Sequence, residues 1–183
     1  MAPPAGELWC GGFHVGHPAA TASGLDEDER LQPVLAGLRA ARRLWSCSTF
    51  VDLDGACAAA RACRRPLAVH GIWFATRTAA ALLRECPDAP VAATLRQRLP
   101  GPPPAGVAAG FDVLGIGGEM CLPWTREDAG IELCRELGLP TEPPPFLPDM
   151  KVANRLVRAL EDDALGAPVL WVRCWRTVHA TCS

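Results

Sequence analysis

Apolar residues recur along this chain with two periods, and the two alternate. Leu8, Trp9, Phe13 and Val15 mark a strand broken by Gly11-Gly12. Asp26-Glu27-Asp28-Glu29 then opens a helix, where acidic groups suit the positive end of the helix dipole. Val34, Leu35, Leu38, Ala41, Leu44 and Trp45 follow at helical spacing, and Pro33 fits a first turn near Gln32. Ser46–Leu53 reads as a short strand. Asp52 or Asp54 caps a helix over Gly55–Arg65 with Ala56, Cys57, Ala60 and Cys63 inward. Pro66–Ala75 is a strongly apolar strand. A helix capped by Thr76 or Thr78 runs from there to Cys86, Pro87–Pro90 breaks it, and a short helix reaches Arg98.

The second half repeats the alternation. Val107–Ile116 reads as a strand ending in Gly115-Ile116-Gly117-Gly118. Thr125 and Asp128 resemble a capping box for a helix to Leu137, which Gly138 stops. Asp149 caps a helix to Asp162 with Val152, Leu156, Val157 and Leu160 inward. Pro168–Val178 is the last strand, with Val169, Trp171, Arg173 and Trp175 on one face and Leu170, Val172, Cys174 and Arg176 on the other. Arginines on both faces mark it as an edge. The order β-α-β-α-β-α-α-β-α-α-β predicts an α/β or α+β class: one domain over residues 1–183, with a mixed sheet of about five strands flanked by helices. The proline run of residues 99–106 is stiff and extended, and marks a boundary between two lobes.

Composition narrows the function classes. The net charge is -2, with no cationic excess to hold nucleic acid or an anionic membrane. The opening residues, Met1 to Glu7, have neither the basic nor the apolar region of a secretion signal. The apolar stretches Pro66–Ala75 and Pro168–Val172 are far too short to span a bilayer. The expected location is the cytoplasm. Ala, Arg, Gly and Pro make up 82 residues, while Lys and Asn occur once each and Tyr is absent. That bias follows codon GC content, as in an actinobacterium or myxobacterium, and explains arginine in place of lysine without a phosphate-binding role.

Candidate chemistry is sparse. No Gly-x-Ser-x-Gly elbow, phosphate loop or dinucleotide fingerprint is present. The nine cysteines form no Cys-x-x-Cys pair, and their apolar settings make them small buried hydrophobes. Cys10, His14 and His17 are the one group of metal-type ligands, with Asp26 or Glu27 as a possible fourth. A strand places Cys10 and His14 on one face and His17 on the other, so no metal or cofactor is called for. His70 lies within an apolar strand, and His179 follows the last strand at an exposed position. The loop from Gly117 to Thr125 holds Glu119, Met120, Cys121 and Trp124 at a strand end, where α/β sheets expose ligand-facing groups. These four are the binding candidates, and Trp124 is either a surface anchor or a lid folded onto the core.

The reading that follows is non-catalytic recognition of a protein partner, of immunity or accessory type, with no nucleic acid and no membrane. Two alternatives stand beside it: an enzyme using Cys121 as nucleophile or His70 as acid/base, and metal binding through Cys10, His14 and His17. An odd cysteine count without a secretion signal predicts thiols throughout. Titration in denaturant without reductant is expected to find nearly all nine reactive, and five or fewer would overturn the cytoplasmic assignment.

Overall fold

Seven strands, antiparallel at every described pairing, join into one sheet in the order β2-β3-β1-β4-β7-β5-β6. The computed structural model describes residues 6–16, 25, 29–46, 49–63, 66–101, 107–117, 120–124, 127–140, 146–162 and 169–182. Four long strands carry the sheet: β1 (Leu8–Gly16), β4 (Leu67–Ala75), β7 (Leu170–Cys182) and β5 (Val107–Gly117). The short β6 (Met120–Pro123) extends one side, and a small ribbon of β2 (Leu44–Ser46) and β3 (Thr49–Phe50) the other. The helices are α1 (Gln32–Ala40), α2 (Leu53–Ala62), α3 (Thr76–Glu85), α4 (Pro90–Arg96), α5 (Asp128–Glu136) and α6 (Met150–Asp162). The α+β class holds. The sheet is antiparallel rather than mixed, and its strands come from both sides of residues 99–106.

Local signals explain the helix ends. The Asp52 carboxylate accepts the Gly55 N–H at 2.8 Å and caps α2, and Arg43 binds the same carboxylate and holds it below the usual range. Asp149 accepts the Val152 N–H at 2.8 Å at the start of α6. Past α5, Gly138 turns to φ +64°, and the N–H groups of Gly138 and Leu139 reach the carbonyls of Arg135 and Cys134 at 3.1 and 2.9 Å. This is a Schellman stop, which favours glycine at the left-handed position. At α3 the expected threonine cap is absent: Ala75 precedes the helix, and the Thr76 hydroxyl donates to the Glu7 carbonyl at 3.3 Å. Thr125 lies outside the described residues.

Register sorts side chains between two faces. On the first, Phe13, Val15, Phe50, Leu67 and Val69 meet α1 and α2, while Phe111, Val113, Trp171 and Trp175 meet α5 and α6. On the second, Ile72, Phe74, Leu114, Ile116 and Val172 meet α3 and α4. The final strand is not an edge. It lies between β4 and β5 and extends past Val178 to include His179. The first helix stops at Ala40, and Leu44 and Trp45, expected near its end, fall in β2 instead. Residues 120–123, expected as loop, pair with β5 as β6.

Arg176 can occupy a central strand because a buried carboxylate meets its charge. It is 2% exposed, and its Nε and Nη2 donate to Asp112 Oδ2 at 3.0 and 2.7 Å. Asp112 Oδ1 accepts the Val113 N–H at 2.8 Å and the Trp124 Nε1–H at 3.1 Å. Gly110, the register partner of Arg176 on β5, brings no side chain into this space. Removing one member of a buried pair strands the other charge. Asp112→Asn is therefore expected to lower unfolding stability by about 3–5 kcal/mol, whereas Asp112→Leu combined with Arg176→Met recovers most of that loss. Chemical denaturation of the two variants checks this, and an Asp112→Asn midpoint equal to the parent's would refute it.

Candidate functional site

Among the described residues, those singled out from sequence do not come together in one site. A bulge in β1 between Cys10 and Gly12 pairs Cys10 with Trp73 and His14 with His70, so Cys10 and His14 leave opposite faces instead of sharing one. His17 lies outside the described residues. Cys10 meets Arg98, which also reaches the Val51 carbonyl and lies over the Phe13 ring at 5.7 Å. Burial raises the Cys10 thiol above its ordinary range, against the pull of Arg98. Cys10, Cys57, Cys63, Cys86, Cys134 and Cys174 carry thiols, with no disulfide among the described residues. Glu119 and the side chains of Met120 and Cys121 lie outside what is described. Trp124 is 1% exposed and tied to Asp112, the geometry of a lid on the core. Gly130 on α5 makes room for it: a Cβ there would lie 2.8 Å from its Cε3.

The histidines are structural in their setting. His70 is fully buried, with its ring 6.3 Å from that of His14 and 5.1 Å from that of Phe146. Burial, the nearby Arg176 charge and His70 together push His14 well below the usual imidazole range. His179 is half-buried and not exposed as expected, and burial lowers it too. Its Nε2 lies 3.1 Å from Thr177 Oγ1, which accepts the Trp73 Nε1–H at 2.9 Å. Gly71 allows this convergence, since a Cβ would lie 2.6 Å from both His179 Nε2 and Trp73 Nε1. Thr177 is 2% exposed, so its hydroxyl orients the indole and imidazole and is not presented to a substrate.

A cavity of about 230 Å³ lies on the first face. One wall is a row across three strands, Trp73 paired with Trp175 and Trp175 with Phe111; Trp175 and Phe111 are 2% and 6% exposed, and half-buried Trp73 is the ring of the row most open to the cavity. The Trp175 and Phe111 rings meet edge to face at 4.8 Å. Ala75 is too small to fill the space beyond Trp73, and Met150 of α6 borders it. Arg173 and Arg77 supply positive charge. Arg173 is half-buried and donates to the Asn154 side-chain oxygen, an amide that orients the guanidinium without neutralising it. Arg77 is exposed in the first turn of α3. Among the described residues neither arginine forms an ion pair. Sequence reasoning did not single out this cavity; the available signal was Arg173 between Trp171 and Trp175 on one strand face.

No protein-family model, curated protein or solved structure matches the chain.

The lowered histidines give stability a definite pH dependence. His14 folds as the neutral form beside Arg176 and His70, with Asp112 holding the arginine. Its folded pKa lies below the unfolded value of about 6.5, so the unfolded chain binds more protons in mild acid. Stability is then present above about pH 6.5 and lost as pH falls below it, with slope up to about 1.4 kcal/mol per pH unit for one such group. Denaturation between about pH 7 and 5.5 is expected to show this decline, and His14→Gln to reduce it. A flat parent profile would contradict the assignment.

Proposed function

We propose that this protein acts by non-catalytic binding, with the cavity over Trp73, Trp175 and Phe111 as its recognition site. The observation that carries the reading is a pair of arginines, without a carboxylate partner among the described residues, beside an aromatic wall. Binding sites combine an apolar lining with a few convergent polar groups, and this cavity has that composition. Its volume is below the roughly 300–1,000 Å³ of sites for drug-sized ligands, which favours a small molecule. The protein partner expected from sequence would need a broad contact surface. Among the described residues the exposed large apolar side chains are Val34, Leu53, Leu99 and Val107, on different elements, and they form no argument for one. No described helix is long and apolar enough to cross a membrane.

Catalysis would require a nucleophile and base in contact at an accessible point. His70 is enclosed, and the Thr177 hydroxyl is occupied by Trp73. A ligand-observed NMR screen of small acids, bases and neutral molecules tests the binding reading. At least one compound is expected to bind the parent and to lose binding in Met150→Trp, which fills the cavity. No binder, or binders indifferent to that change in a folded variant, would overturn it.

A further inference from the structure

The cavity's layout identifies a ligand class. We propose that it takes a small planar aromatic acid, its ring against Trp73 at the open end of the Trp73–Trp175–Phe111 row and its carboxylate on the Arg173 guanidinium; this rests on the binding reading above. Three features point the same way. The row consists of register neighbours on β4, β7 and β5, so buried Trp175 and Phe111 back half-buried Trp73 with aromatic bulk. The polar atom of Trp73 is turned to Thr177, which leaves that indole's apolar surface for a ligand. Aromatic groups contact each other best offset or edge to face, and a flat ring meets such a wall more fully than a puckered one.

Charge fixes the other end. Arg173 lies two residues from Trp175 on the same strand face, one rung along the sheet, or about 7 Å. Ala75, at the end of β4, leaves the space beside that rung open. A ring against the open end of the row can reach Arg173 only through a short link, so the acid is attached directly or through one methylene. The fork of a guanidinium donates to both oxygens of a carboxylate, and Asn154 holds Arg173 in place before a ligand arrives. Arg77, exposed at the rim, adds long-range attraction. The volume of about 230 Å³ leaves no room for a nucleotide or an extended peptide.

Titration of the intact protein with benzoate, phenylacetate, cyclohexanecarboxylate and benzamide, read by tryptophan fluorescence and amide NMR shifts, tests the assignment. The aromatic acids are expected to bind at least tenfold more tightly than cyclohexanecarboxylate and benzamide, with shifts centred on Trp73, Phe111 and Arg173. Arg173→Met keeps the apolar stem and is expected to erase the preference for benzoate over benzamide, while Arg77→Gln weakens acid binding less. If cyclohexanecarboxylate binds as well as benzoate, the aromatic assignment is overturned. Equal binding of benzamide overturns the anionic one. In either case binding lost in Met150→Trp keeps the cavity as the site. Acid binding unaffected by both Arg173→Met and Met150→Trp overturns the proposal, and so does the absence of binding by all four probes. That last result leaves the broader binding reading to the wider screen.

Discussion

A buried guanidinium on the central strand is the constraint around which this fold is arranged. Arg176 sits on β7 between β4 and β5, where a charge has no solvent to relax into. The cost of that placement is several kcal/mol unless an opposite charge and further hydrogen bonds compensate it. Asp112 is that compensation, and its own oxygens are completed by the Val113 amide and the Trp124 indole. The pair thus bonds β7 to β5 through side chains as well as backbone. It also tethers the segment after β6, which brings Trp124 under α5 beside Gly130. His14 fits beside this charge and next to His70 as a neutral ring, since a second cation there would face Arg176 directly.

The first face uses aromatic bulk. Trp171, Trp175, Phe111 and Trp73 face α5 and α6, and packing large rings across adjacent strands leaves gaps that small residues do not close. Ala75 and Gly71 are the small positions in β4 on that face, and they behave differently. Gly71 is filled by the ends of Trp73, Thr177 and His179, so its missing side chain is used. Ala75 borders the cavity, so its missing bulk stays open. One strand thereby contains both a locked aromatic platform and the space above it.

Much of the fold was legible in the sequence and much of the site was not. The alternation of periods located six helices and the long strands, and Asp52, Asp149 and Gly138 act at the ends where their chemistry placed them. The edge assignment of the last strand failed for a specific reason. A charged residue in a strand reads as exposed unless its counter-ion is known, and Asp112 lies 64 residues away. The shared face of Cys10 and His14 failed because one bulge reverses alternation, and no periodicity reports it. β6 was missed because four residues ending in proline, after two glycines, carry turn signals that outweigh strand content. The cavity depends on the strand order β4-β7-β5, and nothing in the chain's linear pattern brings Trp73, Trp175 and Phe111 into one row.

The two arginines of β7 show how a single strand separates stability from recognition. Arg173 and Arg176 are three residues apart, which in a strand places them on opposite faces. Arg176 meets a carboxylate, loses contact with solvent, and has its charge balanced within the fold. Arg173 meets an amide, stays half-buried, and has its direction set while no described carboxylate balances its charge. A protein gains nothing in stability from orienting an unneutralised guanidinium against aromatic rings beside an open space, because a charge near a low-dielectric wall prefers either water or a partner. A carboxylate arriving in that space supplies the partner, and the sheet holds the rings that receive the rest of the molecule. The geometry around Arg173 is therefore half of an ion pair, built in advance, with the other half left to the ligand.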